Sequence, residues 1–549
     1  MKRLLLILTL LALTFGCYEK DTSSGITSTY QDLQELKLDS QPNILWIVCE
    51  DQMPSLGCFG DSIAKTPHLD KLAGEGVRFT NVFSTAGVCA PSRSTLITGM
   101  YQNGIGTQHM RTLGNSKYLP VPSYSAVIPE EVKCYSELLR IGGYYCTNNS
   151  KEDYQFKAPV TAWDESSGKA HWKNREEDQP FFAIFNIGIC HESGMWLNKN
   201  HPLIVDPADV IVPPYYPDND IVRKEIARNY SNLYEMDSIA GKLLNDLEKA
   251  GLLENTIVFF YSDHGGPLPR QKREIYDTGL KVPMIIRFPN QQMAGKSVDE
   301  LISFVDFAPT LLSLTNLPIP DYMQGQAFLG ANQAEPRKYI YAARDRLDNE
   351  YDMVRGVRDE RYKYFKNFQP EKPYIMNITY RLQMDLMNEL IRANEAGELN
   401  DEQRLWFADS KPVEELYDLK NDPYELVNLI DDPSLKNKAA ELRNELQVWM
   451  DNIDDKGLIP EEEMLSEMWD GKDHPPITES PFLEMINDQM VITCKTAGAS
   501  IGYKIINGDE VPKSWEVYFE PLNLNTGEKI LFQAQRIGYE PSQVQEFIK

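Results

Sequence analysis

Three apolar runs, each stopping abruptly at polar or charged residues, organise the first half of this chain. Asn43 to Cys49 (NILWIVC) ends at Glu50-Asp51. Phe181 to Ile189 leads into Cys190-His191-Glu192, and Thr256 to Tyr261 into Ser262-Asp263-His264-Gly265-Gly266. Continuous apolarity marks strands covered on both faces, as in a parallel sheet. Thr66-Pro67 predicts a helix opened by an N-cap and a first-turn proline and closed at Gly74. Ile221 to Ala250 has helical spacing at Ile226, Tyr230, Leu233 and Tyr234, and ends at Gly251. The alternation predicts an α/β fold with a large central, mostly parallel sheet flanked by helices. Ligands of such sheets bind beyond the carboxyl ends of the strands, where all three polar clusters fall.

The pattern changes past residue 335. Tyr339 to Ala343, Met353 to Val357 and Tyr362 to Phe365 predict short strands, the last two joined by a tight turn at Asp359-Glu360. Leu416 to Pro423 (LYDLKNDP) reads as strand and turn before a helix from Leu435 to Ile453. An acidic, proline-containing stretch follows, and then alternating strands at Met490 to Lys495, Glu516 to Phe519 and Lys529 to Ala534. The expected organisation is an α/β domain over 41–335, a smaller α+β subdomain over 336–455, a linker over 456–480 and a β-sandwich-like module over 481–549.

The N-terminus adds a destination. Met1-Lys2-Arg3 and a short apolar run from Leu4 to Phe15 fit a signal peptide over 1–17 better than a membrane span. Cys17 follows Gly16 as at a bacterial lipoprotein cleavage site, although Thr14 and Phe15 depart from the commonest residues there. Export is expected, as a periplasmic, outer-membrane or cell-surface lipoprotein tethered by residues 18–40, with a lipid on Cys17 as the one membrane contact. A formal charge of −26 over 549 residues excludes nucleic acid as a partner. Cys49, Cys58, Cys134, Cys146, Cys190 and Cys494 lack metal-site spacing. Several lie inside apolar runs and read as buried thiols rather than disulfide partners; export would permit a bridge, and Cys134 with Cys146 is the pair to test.

Cys89-Ala90-Pro91-Ser92-Arg93-Ser94-Thr95-Leu96-Ile97-Thr98-Gly99 carries the chemistry. Its cysteine falls at a helix N-terminus, where free N–H groups and the helix dipole favour anions. Arg93 lies one turn on. A buried thiol before a helix is the bland reading of such a cysteine. The whole run resembles the signature of the sulfatases, Cys-x-Pro-Ser-Arg followed by Leu-x-Thr-Gly. Leu416 to Pro423 resembles a stretch of their C-terminal subdomain, and the tail a β module of bacterial glycan-degrading enzymes.

This resemblance implies that Cys89 is the precursor of formylglycine, made by a maturation enzyme, whose hydrate attacks sulfate. It implies a metal held by Glu50, Asp51, Cys89, Asp263 and His264, with Glu50 in place of the family's Asp and His264 in place of Asn. Hard oxygen donors make Ca²⁺ the choice, with Mg²⁺ as the alternative. His191 matches the family's second histidine and implies a general acid, while Gly188 replaces the first. Lys151 and Lys272 match two sulfate-binding lysines. Asp153 replaces a histidine and is a candidate proton acceptor. His109, Arg111, Arg270 and Arg273 are candidates between surface charge and substrate contact. The implied activity is hydrolysis of an O-sulfate or N-sulfamate on a sulfated saccharide. Tyr362 to Phe368 and Pro370 resemble the heparan N-sulfatases and add N-sulfated glucosamine to the candidates. The rival readings are a phosphodiesterase or phosphonate hydrolase of the alkaline phosphatase superfamily, and a non-catalytic glycan-binding relative.

Overall fold

The computed structural model describes residues 29–39, 41–114, 120–506 and 512–549. Its main sheet holds β1 (Asn43–Cys49), β2 (Val77–Phe83), β3 (Tyr145–Asn149), β4 (Glu165–Ser166), β5 (Phe181–Ile187), β6 (Thr256–Ser262), β7 (Lys281–Arg287), β8 (Lys296–Val298) and β9 (Ile302–Ser303). The strands lie in the order β4-β3-β5-β1-β6-β7-β2-β8, with β9 beside β2. β1 runs parallel to β5 and β6, and Cys49 is level with both Ile187 and Ser262. That register brings Glu50-Asp51, Gly188 to Glu192 and Asp263-His264 to one edge of the sheet. The pairs β6–β7 and β7–β2 are antiparallel, so the sheet is mostly parallel, as expected.

Both faces are covered, which is why the central strands carry no polar alternation. Leu45 and Ile47 pack with Leu69 and Leu72 of the Pro67–Gly74 helix and with Leu233, Met236 and Ala240 of the Asp220–Lys249 helix. Asn219 caps the long helix, accepting from the amides of Ile221 and Val222 at 3.1 Å each. Thr66 departs from the expected capping bond: its hydroxyl donates to Asp70 Oδ1 at 3.1 Å and accepts from the Gly57 amide at 3.0 Å. On the other face Trp46 meets Tyr135, Phe182, Phe259, Tyr261 and Phe307, with ring centroids 5.0 to 5.8 Å away. Trp46→Ala should lower stability by about 3–5 kcal/mol, since this packed shell cannot collapse into the cavity. A urea midpoint equal to wild type would refute that.

The second sheet is antiparallel: β10 (Ile340–Leu347), β11 (Glu350–Arg358), β12 (Tyr362–Asn367) and β13 (Glu414–Asp418). The Lys436–Ile453 helix covers it through Leu442, Leu446 and Trp449. Towards the C-terminus, β14 (Phe482–Ile486) pairs with β15 (Gln489–Thr493). A four-stranded sheet there has the order β17 (Glu516–Val517), β16 (Ser500–Ile506), β18 (Lys529–Gln535), β19 (Gln545–Ile548). These sheets share a small core around Met490, Ile492, Ile530 and Phe532. The tail is seated on the α/β domain: Lys133 Nζ donates to the Gly498 carbonyl at 2.6 Å, and Arg140 Nη2 to that of Trp515 at 2.6 Å.

Two expectations need correction. Residues 29–39, placed in a tether, pack on the main domain, because Tyr30 and Leu33 are three apart on a helical turn and bury together. Residues 456–480, read as a linker, contain a Glu461–Met468 helix. Met464, Leu465 and Trp469 bury there against Val121 and Tyr124, and Glu461 pairs with Arg346 at 2.6 Å. Cys134 and Cys146 are both free and buried. Cys134 begins a helix with its amide on Glu137 Oε2, while the Cys146 sulfur faces the Ser136 and Tyr144 carbonyls. The signal peptide and Cys17 lie outside the described residues. Among those described, no helix is long and apolar enough to cross a membrane.

Candidate active site

Cys89 is the first residue of a helix, Cys89–Thr98, in which all ten side chains are buried. The helix ends at Gly99, whose φ of 70° suits a left-handed cap. Just before it, Gly87 is required by close approach: a Cβ there would lie 2.1 Å from the Glu274 carbonyl oxygen. That contact brings the loop of Lys272 and Arg273 over the start of the helix, with the Arg273 amide donating to the Gly87 carbonyl at 2.6 Å.

Cationic and anionic groups interlock around the sulfur. Cys89 Sγ lies 3.4 Å from His264 Nε2, 3.7 Å from Lys272 Nζ and 3.8 Å from Asp51 Oδ1. Lys272 also bonds to Asp51 Oδ2. Lys151 Nζ bonds to Glu50 Oε2 at 2.7 Å and is the partly exposed cation of the group. Burial and the Asp263 carboxylate push the thiol up, but Lys151, Lys272 and His264 together bring it down to about 7. Residue 89 therefore lies in a field built for negative charge, as an anion transferred at this position needs.

Arg93 does not point its charge at the sulfur alone. Nε donates to Asp263 Oδ2 at 3.1 Å and Nη1 to Asn186 Oδ1 at 2.7 Å. Asp263 is thereby held ionised: burial opposes it, and Arg93 is the main cause of a pKa well below the usual carboxylate range. Ser92 steadies the same strand end through a 2.6 Å bond to the Asp263 carbonyl. His191 Nδ1 accepts the Ser193 amide, 3.2 Å away, and lies 2.8 Å from the Ser193 hydroxyl, contacts that fix the ring's orientation. One ring nitrogen of His191 lies within 4.8 Å of ligand atoms of Glu50, Asp51 and Cys89.

The donor set fits a hard divalent cation. Asp51, Asp263, His264 and Cys89 present ligand atoms within 4.8 Å of one another, and Glu50 belongs to the adjoining group. Burial favours neutral imidazole, yet Asp263, Asp51 and Cys89 raise His264 to about 10. The carboxylates therefore demand positive charge at this spot. Asp51 adopts a left-handed backbone (φ 53°), which turns its side chain between His264, 3.0 Å from Oδ1, and Lys272.

Other candidates are placed differently. Asp153 reaches the site through Lys151, 3.8 Å away. Arg273 is buried and forks onto Glu192 rather than facing a substrate. Arg270 is buried between the Tyr215 and Tyr276 rings, 4.7 and 4.3 Å from their centroids, and donates to the Glu425 carbonyl. His109 is buried with Nδ1 accepting the Arg346 amide. All three are buried, contrary to the surface-charge reading. Arg111 remains partly exposed.

Two site residues were not anticipated. Glu192 lies 3.7 Å from Lys272, and its amide donates to Asp51 Oδ2 at 2.7 Å. Burial would raise its carboxyl, but Arg273 and Lys272 lower it to about 2. Asn186 joins Arg93 to Asn148, 3.0 Å away. Its signal was one polar residue inside the apolar run FFAIFNI.

Comparison with known proteins gives the same picture. The chain matches the family Sulfatase over residues 42–147 and 143–317, and N-sulphoglucosamine sulphohydrolase, C-terminal, over 270–404. It is 48% identical over 544 residues to an ulvan-active sulfatase of Formosa agariphila, covering 92% of this chain and 91% of that protein. The N-sulphoglucosamine sulphohydrolase of Homo sapiens is 25% identical, over 74% of this chain and 89% of that one. A solved structure bound to its substrate D-glucosamine-2-N,6-O-disulfate superposes with a TM-score of 0.55 at 19% identity, over 77% of this chain and all of that one. A phosphonate monoester hydrolase of Agrobacterium radiobacter superposes with a TM-score of 0.54 at 18% identity, over 82% of this chain and all of that one, so the shared fold alone does not separate the two chemistries.

Proposed function

The chain belongs to the sulfatase family, and from that premise we propose that it desulfates oligosaccharides of a sulfated polysaccharide of the ulvan type outside the cytoplasm. The observation that carries this reading is the pair of cations Lys151 and Lys272 beside Cys89, set at the edge of a metal-competent cluster of Asp51, Asp263 and His264. The 48% identity to an ulvan-active sulfatase supports an O-sulfate ester as the substrate. The match of residues 270–404 to the C-terminal part of the N-sulphoglucosamine sulphohydrolases favours a second reading, an N-sulfamate. An N-terminal signal and a lipid on Cys17 would place the enzyme at the cell surface.

Glu50, Asp51, Asp263 and His264 would hold Ca²⁺. A formylglycine made from Cys89 would supply an oxygen nucleophile and the ion a Lewis acid. Everything else is done by this chain. Lys272 and Lys151 bind the sulfate oxygens and stabilise charge developing on them. Arg93 keeps Asp263 ionised and oriented, and Glu192 with Arg273 keeps Lys272 and Asp51 in place. His191 gives a proton to the leaving oxygen or nitrogen. Asp153 orients Lys151.

The test compares matured enzyme on ulvan oligosaccharides, on N-sulfated glucosamine and on an aryl phosphate diester. Sulfate should appear fastest from the oligosaccharides; faster hydrolysis of the diester would overturn the proposal, and N-sulfated glucosamine as the best substrate would select the second reading. Chelation should remove at least about 90% of the rate, and Ca²⁺ should restore more of it than Zn²⁺, because oxygen donors dominate the set.

A further inference from the structure

Three stretches remote in sequence meet beside the residue that precedes Cys89. Val88 shares an apolar cluster with Met110, Leu347, Met376 and Ile378. Each stretch carries a polar or aromatic side chain just beyond that cluster: Arg111, Asp348 and Tyr380. Arg111 Nε lies 3.0 Å from Asp348 Oδ1, and its guanidinium carbon sits 5.2 Å from the centre of the Tyr380 ring. Tyr380 in turn packs edge-on against Trp196, 5.1 Å away, four residues after Glu192. Asp348 and Arg381 both act electrostatically on Arg273, the partner of Glu192. The assembly therefore borders the catalytic loop.

Arg111 is held from behind and presented at its tip. Asp348 Oδ1 lies beside Nε without a hydrogen bond to it, the Tyr380 ring supports the plane, and among the described residues no hydrogen bond reaches Nη1 or Nη2. The side chain is 38% exposed. A guanidinium so fixed offers two parallel N–H groups to a planar or tetrahedral oxyanion and loses little freedom in binding it. Arg381, next to Tyr380, is 2% exposed with its guanidinium 5.3 Å from the centre of the Trp406 ring, and among the described residues neither of its Nη atoms has a hydrogen-bond partner. Burial and then Arg273 lower it to about 10, the mark of a cation short of counter-charge.

The geometry points to a second anion subsite, in which Arg111, backed by Tyr380, binds a further anionic group of the saccharide whose sulfate lies at Cys89. That group is a carboxylate or another sulfate. Trp196 and Tyr380, packed edge-on and both partly exposed, would give that saccharide an apolar ring surface beside Arg111. This subsite rests on the saccharide-sulfatase reading given above.

The test separates the two ideas by measuring binding without turnover. In Cys89→Ala protein, calorimetry is run with glucosamine 6-O-sulfate, with glucosamine-2-N,6-O-disulfate and with a monosulfated disaccharide carrying a uronic acid. The subsite predicts about tenfold tighter binding of at least one doubly anionic ligand than of the monosulfate. Adding Arg111→Ala should bring that ratio to within twofold of unity, and Arg111→Lys should leave an intermediate value, since the charge stays and the fork is lost. Whichever ligand loses its advantage identifies the group as sulfate or carboxylate. An unchanged ratio in Arg111→Ala, or no preference in the parent, overturns the subsite. Failure of sulfate release by the Cys89-containing enzyme would count against the sulfatase reading instead.

Discussion

Cys89→Ala should lower sulfate release by about 10⁴-fold or more, the scale seen when the nucleophile of a concerted catalytic group is removed. The loss should fall on kcat, because Lys151, Lys272 and the carboxylate cluster remain to hold the sulfate. Cys89→Ser should be nearly as inactive if the nucleophile is an aldehyde derived from the thiol. A cysteine acting as itself would give a different pattern: its thiol, brought to about 7 by the surrounding cations, would make alkylation at neutral pH as damaging as substitution. Mass spectrometry of the peptide containing residue 89 decides between these. Fully active enzyme in which that residue is unmodified cysteine would overturn the assignment.

Lys272→Ala should cost about 10²–10³-fold in kcat, the usual effect of removing one preorganised donor from a developing anion. Lys272 is buried, bonds Asp51 and lies 3.7 Å from the Cys89 sulfur. Its removal has a structural cost as well, because Asp51 is left buried with one cation fewer. The kinetic split separates the two effects. Loss of a transition-state contact lowers kcat with a smaller change in KM, whereas general loosening of the site raises KM and lowers the unfolding midpoint together. A drop smaller than about fivefold would remove Lys272 from the machinery.

Much of this arrangement was legible in the sequence, for a physical reason. The three apolar runs are central strands of a parallel sheet, so their ends mark where function gathers, and the acids and histidines just past them form the site. The Cys89 run announced itself by composition. What the sequence did not reveal was orientation. Arg270 and Arg273 are three residues apart on one loop and look equivalent, yet one lies between tyrosines and the other grips Glu192. Arg111 looks no different from them and remains partly exposed. Glu192 was overlooked because its partners come from segments 81 and 141 residues away. The tether and linker were misread for a related reason. Short stretches with two or three apolar residues look solvated in isolation, and only the docking surface shows that Tyr30, Leu33 and Met464 have somewhere to go.

The burial of the Cys89–Thr98 helix sets an order of events. Its first side chain is 1% exposed, beneath the Lys272 loop and against the sheet. No enzyme can take that thiol into its own active site while the helix is in place. A maturation enzyme that oxidised Cys89 would therefore need a chain that has not yet closed. Such maturation would be a race: a mutation that hastens closure of this domain would yield well-folded, inert protein, and one that delays it would raise the fraction converted.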